Sequence, residues 1–301
     1  MKKVLKWLGF ILGGIIGLLI LVAVAVYALS STRINKTYDV PVAAVDIPDD
    51  EATIERGQHV AATRGCGDCH GENLAGAVMI DEPPVGLFYA ANLTAGAGGV
   101  GANYTDEDWI RALRHGIGPD NKPLLFMPSH EFYYLSDKDL GALIAYLKTL
   151  PAVDKPPTAS SVGPLARVLF LAGQFPLLPA ELIDHTGSRP SSPPPGVTAT
   201  YGEYLAVGCT GCHGETFAGG PIPGAPPDWP PAANLTPSGN LSNWTEADFI
   251  STIRSGVTPE GVELDAEYMP WSTFGRMTDD ELKALWLYIQ SLPPQATASS
   301  N

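Results

Sequence analysis

A twelve-residue string occurs twice in this chain, and the remainder must fold around both copies. GCGDCHGENLAG spans 65–76 and GCTGCHGETFAG spans 208–219. The likeness continues downstream. AANLT occurs at 90–94 and 232–236, and YTDEDWIRALRHG at 104–116 matches WTEADFISTIRSG at 244–256. A Met-Pro pair follows in each copy, Met127-Pro128 and Met269-Pro270. Each copy closes on a helix-like run, SDKDLGALIAYLKTLP or TDDELKALWLYIQSLP. From the motif histidine to the methionine is 57 residues in the first copy (His70 to Met127) and 56 in the second (His213 to Met269). Two tandem units are expected, 51–152 and 197–296, and 301 residues suit two domains of about 100 residues each.

The pattern predicts three helices per unit. The first precedes the cysteines, near 54–63 and 201–207. The second starts at Thr105 or Thr245, with Asp108 or Asp248 three residues on, a capping box with Asp in place of Glu. The third starts at Ser136 or Thr278, repeats apolar residues at helical spacing, and stops before Pro151 or Pro293. No segment shows strand alternation, so the expected class is all-α.

Outside the repeat, Trp7 to Leu29 carries no charge and is long enough to span a bilayer as a helix, for which about 20 apolar residues suffice. That predicts an uncleaved anchor over 1–32, with a removed signal peptide as the alternative. Lys2, Lys3 and Lys6 precede the span and predict a cytoplasmic N-terminus, with everything after Arg33 exported. Residues 33–50 read as a tether, 153–196 as a Pro-bounded insert and 297–301 as a tail. The apolar part of the insert, PLARVLFLAGQFPLLP, is too short and interrupted to span a membrane. Packing on the domains is expected there, with the membrane surface as second option, and SRPSSPPPG reads as a stiff linker. Beyond residue 36 the chain carries 13 Lys and Arg against 32 Asp and Glu. Such a body repels phosphate backbones, which excludes nucleic acid, and favours a basic protein partner.

All four cysteines fall in two copies of C-x-x-C-H: Cys66, Cys69, His70 and Cys209, Cys212, His213. A structural zinc site wants two knuckles close together, whereas these pairs belong to separate repeats. A redox dithiol leaves the histidine after both pairs unexplained. Covalent c-type haem accounts for every element, with two thioether bonds and an axial histidine. Two haems are therefore expected. For the sixth ligand the second unit offers Met269 and Met277. The first offers Met127, Met79, His59, His115 and His130. The repeated Met-Pro pair favours Met127 and Met269, giving metal ligands His70, Met127, His213 and Met269. Met277 and Met79 read as packing residues, and His59 and His185 as surface or linker positions. His/Met ligation raises the iron potential and closes the iron to exogenous ligands, which favours electron transfer over oxygen or peroxide chemistry.

Each unit resembles a class I cytochrome c domain in its C-x-x-C-H after a first helix, its Met-Pro loop and its closing helix with Tyr146 or Tyr288. The whole is similar to membrane-anchored dihaem cytochromes and to cytochrome subunits of bacterial periplasmic dehydrogenases. The resemblance implies two tandem class I domains after an N-terminal transmembrane helix. It implies haem propionates held by repeated polar residues, for which Asn92, Thr94 and Arg114, with Asn234, Thr236 and Arg254, are the candidates. The expected role is electron transfer at the outer face of a bacterial inner membrane, from a dehydrogenase or quinol-oxidising complex to a cytochrome or oxidase. No substrate pocket and no catalytic residue is expected. The alternatives are a subunit of a larger dehydrogenase or oxidase, and a dihaem peroxidase. GAGGVG at 96–101 matches a dinucleotide fingerprint but follows no predicted strand, so it reads as a loop. The Asn-x-Thr triplets at Asn92 and Asn234 belong to the repeat and read as structural; Asn243 carries a third.

Overall fold

The computed structural model describes residues 2–187, 193–226 and 228–298. Positions 188–192 of the expected linker, and Met1 and 299–301 at the ends, lie outside the described residues.

Helix α1 (Lys2–Ile34) is 33 residues long and none of its apolar window is buried. By length and composition it is a candidate membrane anchor. The segment read as a tether is extended but does not hang free. Val42, Val45 and Ile47 pack on the core, and the backbone passes so close to Gly141 that a Cβ there would stand 2.1 Å from the Asp46 carbonyl oxygen.

The first half then runs α2 (Glu51–Thr63), α3 (Cys66–His70), β1 (Ala77–Glu82), β2 (Gly86–Ala90), α4 (Asp106–Ile110), α5 (Ser129–Phe132) and α6 (Asp137–Lys148). The insert adds β3 (Ser161–Val162) and α7 (Pro164–Leu171). The second half runs α8 (Ala199–Ala206), α9 (Thr210–His213), α10 (Glu246–Ser255), α11 (Trp271–Phe274) and α12 (Asp279–Ser291). The expected helix starts are capped as the sequence implies. Thr105 with Asp108, and Thr245 with Asp248, form reciprocal capping boxes, while Ser136 and Thr278 cap α6 and α12. Helix α4 continues through one π turn, Arg111–His115, where α10 stays regular.

In each half the first helix crosses the last at a glycine. A Cβ on Gly57 would meet the Ala142 oxygen at 1.9 Å, and one on Gly202 the Ala284 oxygen at 2.0 Å. Only a residue without a side chain lets the backbones approach so closely. Buried apolar residues of both halves join in one core that includes Val60, Leu143, Leu205 and Leu285.

The all-α expectation needs one correction. β1, β2 and β3 form an antiparallel sheet in that order. Alternation was invisible in GLFYA because β2 is apolar along its length, although Phe88 is 2% exposed and its neighbours are more open. The equivalent segment of the second half, GPIPGAPPDWPPA, holds six prolines and forms a single bridge, Gly220 to Ala232. Proline removes the N–H that a ladder needs, which accounts for the difference.

The insert packs as expected, and it builds a second core. Phe88, Ala166, Phe170, Phe175, Leu177 and Leu178 bury one another, with Phe126 and Ile34 against them. The GAGGVG glycines pack on the chain after α6: Cβ atoms on Gly96 and Gly98 would stand 2.2 and 2.1 Å from the oxygens of Val153 and Lys155. That is a loop packed on backbone, as read from the sequence.

Candidate haem sites and the interface between them

Each C-x-x-C-H motif forms a short helical turn that ends on a glycine with positive φ, 79° at Gly71 and 74° at Gly214. The chain thereby turns sharply after the histidine, at a position where glycine is favoured. The imidazoles are oriented identically. His70 Nδ1 lies 2.7 Å from the Ala91 carbonyl oxygen, and His213 Nδ1 lies 2.8 Å from that of Ala233. A carbonyl only accepts, so Nδ1 carries the proton and Nε2 keeps its lone pair for a metal. Burial pushes both imidazoles below their ordinary range, against the opposing pull of those carbonyls, which favours the neutral ligand form.

The AANLT loops hold those carbonyls in place. Asn92 Nδ2 donates to the Val153 oxygen at 2.8 Å, and the Thr94 N–H donates to Asn92 Oδ1 at 2.9 Å. In the second half Asn234 Nδ2 donates to the Gln295 oxygen at 2.9 Å, and the Thr236 N–H to Asn234 Oδ1 at 2.9 Å. The arginines clamp elsewhere: Arg114 to Asp137 at 2.5 Å and Arg254 to Asp279 at 2.7 Å, each at the N-terminus of its closing helix. These six residues, expected around propionates, form bonds that fasten loops and helices.

In the first half Cys66, Cys69, His70 and Met127 line one cavity of about 600 Å³, walled by residues such as Trp109 and Leu113. Its lining is mainly apolar and suits a porphyrin-sized group. In the second half His213 is buried, and Cys209 and Met269 pack against the core. Met277 is 1% exposed inside that core, as its packing role requires, and Met79 joins both the cavity wall and the second core. None of the four cysteines is in a disulfide. Burial pushes the Cys66 and Cys209 thiols up to about 12, the reverse of a reactive dithiol. Among the described residues no cluster of three or more His, Cys, Asp and Glu side chains could hold a metal ion. The donor set fits covalent haem better than zinc or thiol exchange.

The cytochrome c family model matches residues 54–151 and again 199–293, together more than half of the chain. The chain belongs to the cytochrome c family. Its domains therefore carry covalently bound haem c. Among curated relatives, the cytochrome c subunit of the quinone alcohol dehydrogenase of Gluconacetobacter polyoxogenes is 30% identical over 292 residues, covering 86% of this chain and 60% of the relative. The fructose dehydrogenase cytochrome subunit of Gluconobacter japonicus is 28% identical, covering 81% and 53%. A dihaem c-type cytochrome of Cereibacter sphaeroides is 24% identical, covering 79% and 85%. The chain spans about 60% of the alcohol dehydrogenase subunit's length.

The two cytochrome c domains meet about a pseudo-twofold axis. Arg56 binds Asp139 through two nitrogens, at 2.8 and 3.1 Å, and also reaches Glu281 and Tyr201. Two further bonds cross the interface symmetrically: His59 Nε2 donates to Glu281 at 2.7 Å, and the Tyr204 hydroxyl to Asp139 at 2.5 Å. His59 and Tyr204 lie at matching places on α2 and α8; Asp139 and Glu281 match on α6 and α12. Against burial, which raises it, the His59 hydrogen bond, the Thr278 N–H and the nearby charges bring Glu281 down to about 2. Sequence reading placed His59 at the surface and His185 in a linker. Instead His59 is an interface residue, and His185 Nδ1 lies 3.0 Å from His115 Nδ1. The only sequence signal for His59 was its place on the first helix of a repeat that had to dock somewhere.

The same axis brings each motif against the other domain's ligand-loop helix. Thr273 on α11 donates to Asp68, between Cys66 and Cys69, at 2.7 Å. Glu131 on α5 faces Gly211, between Cys209 and Cys212, where a Cβ would stand 2.8 Å from Glu131 Oε1. Asp68 and Gly211 are equivalent, as are Thr273 and Glu131. A carboxylate thus stands between the cysteines of the domain 1 motif, whereas domain 1 supplies the one that faces the equivalent place in domain 2; both Asp68 and Glu131 also line the domain 1 cavity.

Proposed function

We propose that this chain is a membrane-anchored dihaem electron carrier that serves a dehydrogenase as its cytochrome subunit or as its partner. The observation that carries this is the duplicated histidine, with Nδ1 on a carbonyl and Nε2 free, in two domains that each also bring a Met-Pro loop to the core. Cys66 and Cys69 would hold one haem and Cys209 and Cys212 the other. His70 with Met127, and His213 with Met269, would be the axial pairs. Bound haem c supplies a one-electron change between ferric and ferrous iron. The apolar cavity wall and a thioether donor both favour the ferrous state and a high potential. Asn92, Thr94, Asn234 and Thr236 act through the carbonyls they position, and Arg114 and Arg254 through the closing helices.

The domains are best taken as 51–152 and 197–296, with 153–196 joined to the first. Lys2, Lys3 and Lys6 support a cytoplasmic N-terminus and periplasmic haem domains. With both motifs against the interface, electrons can cross between the haems inside the protein. The acidic body favours a basic partner at the point of exchange. A peroxidase needs an iron that opens to peroxide. Of the spare histidines His59, His115 and His130 on which that reading would draw, His59 and His115 are bonded to Glu281 and His185, and His130 is half-buried on α5. Pyridine haemochrome assay tests the proposal: two haems per chain are expected, and one or none overturns it. In ferric protein, Met127→Ala and Met269→Ala should each remove half of the methionine-to-iron charge-transfer band. A band at full strength in either variant would reject that ligand.

A further inference from the structure

Apart from Arg167, helix α7 is apolar throughout, yet the protein covers only part of it. Ala166 and Phe170 are buried in the second core. Leu165 and Val168 are 43% and 48% exposed, and Pro164 and Ala172 beside them are exposed as well. Arg167 is the one charged residue of the helix. A helix without a polar face normally has every side covered.

Helix α1 fixes what lies opposite the open face. Arg167 donates to Ser30 Oγ at 2.7 Å and to Ser31 Oγ at 3.1 Å, and stands over the Tyr27 ring at 4.5 Å. Arg33, one turn on, stands over Phe170 at 3.9 Å and pairs with Glu181. The apolar run of α1 ends at Leu29, before Ser30, Ser31 and Thr32. At about 1.5 Å per residue that run fills a hydrocarbon core of about 30 Å. Tyr27, Ser30 and Arg33 therefore stand at its outer boundary, where tyrosine rings and snorkelling arginines are stable. Contacts to those residues hold α7 at the same level. Leu182, next to Glu181, adds a third apolar side chain there, 60% exposed.

We propose that α7 is a membrane-surface helix, with Leu165 and Val168 in the boundary between headgroups and acyl chains, seating domain 1 on the bilayer. This rests on α1 being a membrane anchor. The seat is continuous with the haem site. The second core runs from Phe170 through Phe175 to Phe126, next to Met127, and Ile34 and Asn35 at the end of α1 line the domain 1 cavity. Domain 1 is then the membrane-proximal domain, held by two attachments rather than swinging on one.

Spin-label depth measurement on the full chain tests this. The native cysteines all belong to the haem motifs, so an introduced cysteine provides a single labelling site. Leu165→Cys and Val168→Cys are labelled in haem-loaded protein reconstituted in phosphatidylcholine–phosphatidylglycerol vesicles. Val24→Cys within α1 and Leu287→Cys on α12 serve as the lipid and water references. The expected result is collision with oxygen exceeding collision with a water-soluble nickel chelate at 165 and 168, at depths between the two references. If the label at 24 is in lipid while 165 and 168 match 287, α7 is not a membrane element although the anchor stands. Shielding of 165 and 168 from both reagents means that protein covers the face, and also overturns the proposal. A label at 24 that reads as water removes the anchor itself.

Discussion

The two cytochrome c domains share one plan and differ in what surrounds it. Both place Nδ1 of the histidine on a carbonyl, both fasten that carbonyl with an Asn-x-Thr loop, and both cross two helices at a glycine. Among the described residues, domain 1 alone carries a three-stranded sheet, a second core and the end of α1 against its cavity. Domain 2 replaces the hairpin with a proline-rich loop. The site geometry thus tolerates very different walls, because it depends on the motif, the loop and the helix crossing. The differing parts set position: domain 1 packs on α1 and on the insert, and domain 2 packs on domain 1.

The harshest way to break the comparison is to remove one attachment site at a time. Cys66→Ala with Cys69→Ala, or Cys209→Ala with Cys212→Ala, should each halve covalent haem by pyridine haemochrome. Unequal losses would mean that one site depends on the other being filled. Gly57→Ala and Gly202→Ala come next, because either Cβ would collide with backbone. Each should cost about 3 kcal/mol by denaturant unfolding, the upper range for overpacking. If the second core buttresses domain 1, Gly57→Ala should be the milder.

The interface ranks third. Asp139→Asn removes the bidentate partner of Arg56, and Glu281→Gln removes the partner of His59. Breaking such a buried pair costs roughly 3 kcal/mol. The double variant should cost less than the sum, since both acids share Arg56. The pH sign follows from direction. Asp139 and Glu281 are both held below their ordinary range, so folding gains from their ionisation. That gain is full above the ordinary Glu value of 4.5 and is lost as pH falls toward about 2. Domain separation in that acid window, followed by scattering or by the inter-haem transfer rate, should be blunted in Glu281→Gln.

Much of this was legible from the repeat. Thr105 and Thr245 announce their helices through the acid three residues on, and the Met-Pro pairs recur at nearly the same spacing from the histidines, 57 and 56 residues. What was not legible depended on contacts between units that look independent in sequence. Nothing along α2 distinguishes His59 from the polar residues around it, Glu55, Arg56 and Gln58, and its partner Glu281 lies 222 residues away. The hairpin escaped because β2 is apolar along its whole length, so its period of two is absent from the letters. That PLARVLFLAGQFPLLP packs on protein was legible; that it forms a core of its own was not, because its partners Phe88 and Phe126 are far away in sequence. The polar loop residues were placed near the haem by resemblance; the structure adds the bonds of Asn92 and Asn234 to the chain after each closing helix.

The smallest predicted effect sharpens the comparison most. Burial pushes the Glu131 carboxyl up to about 7, partly offset by Arg64. It is a domain 1 residue beside the domain 2 motif. A negative charge there stabilises ferric iron, so ionisation should lower the domain 2 potential as pH rises through about 7. Glu131→Gln should flatten that dependence; because Glu131 also lines the domain 1 cavity, the domain 1 potential should respond in the same direction, as read by potentiometric titration with the two haems resolved by NMR. Potentials that keep their pH dependence in Glu131→Gln would overturn the assignment of this titration to Glu131. Moving the charge is the stricter trial. Glu131→Thr with Gly211→Asp copies into domain 2 the arrangement that domain 1 has in Thr273 and Asp68. Recovery of the domain 2 potential in that double variant, but not in Glu131→Thr alone, would show that each motif needs one adjacent carboxylate, from whichever domain supplies it.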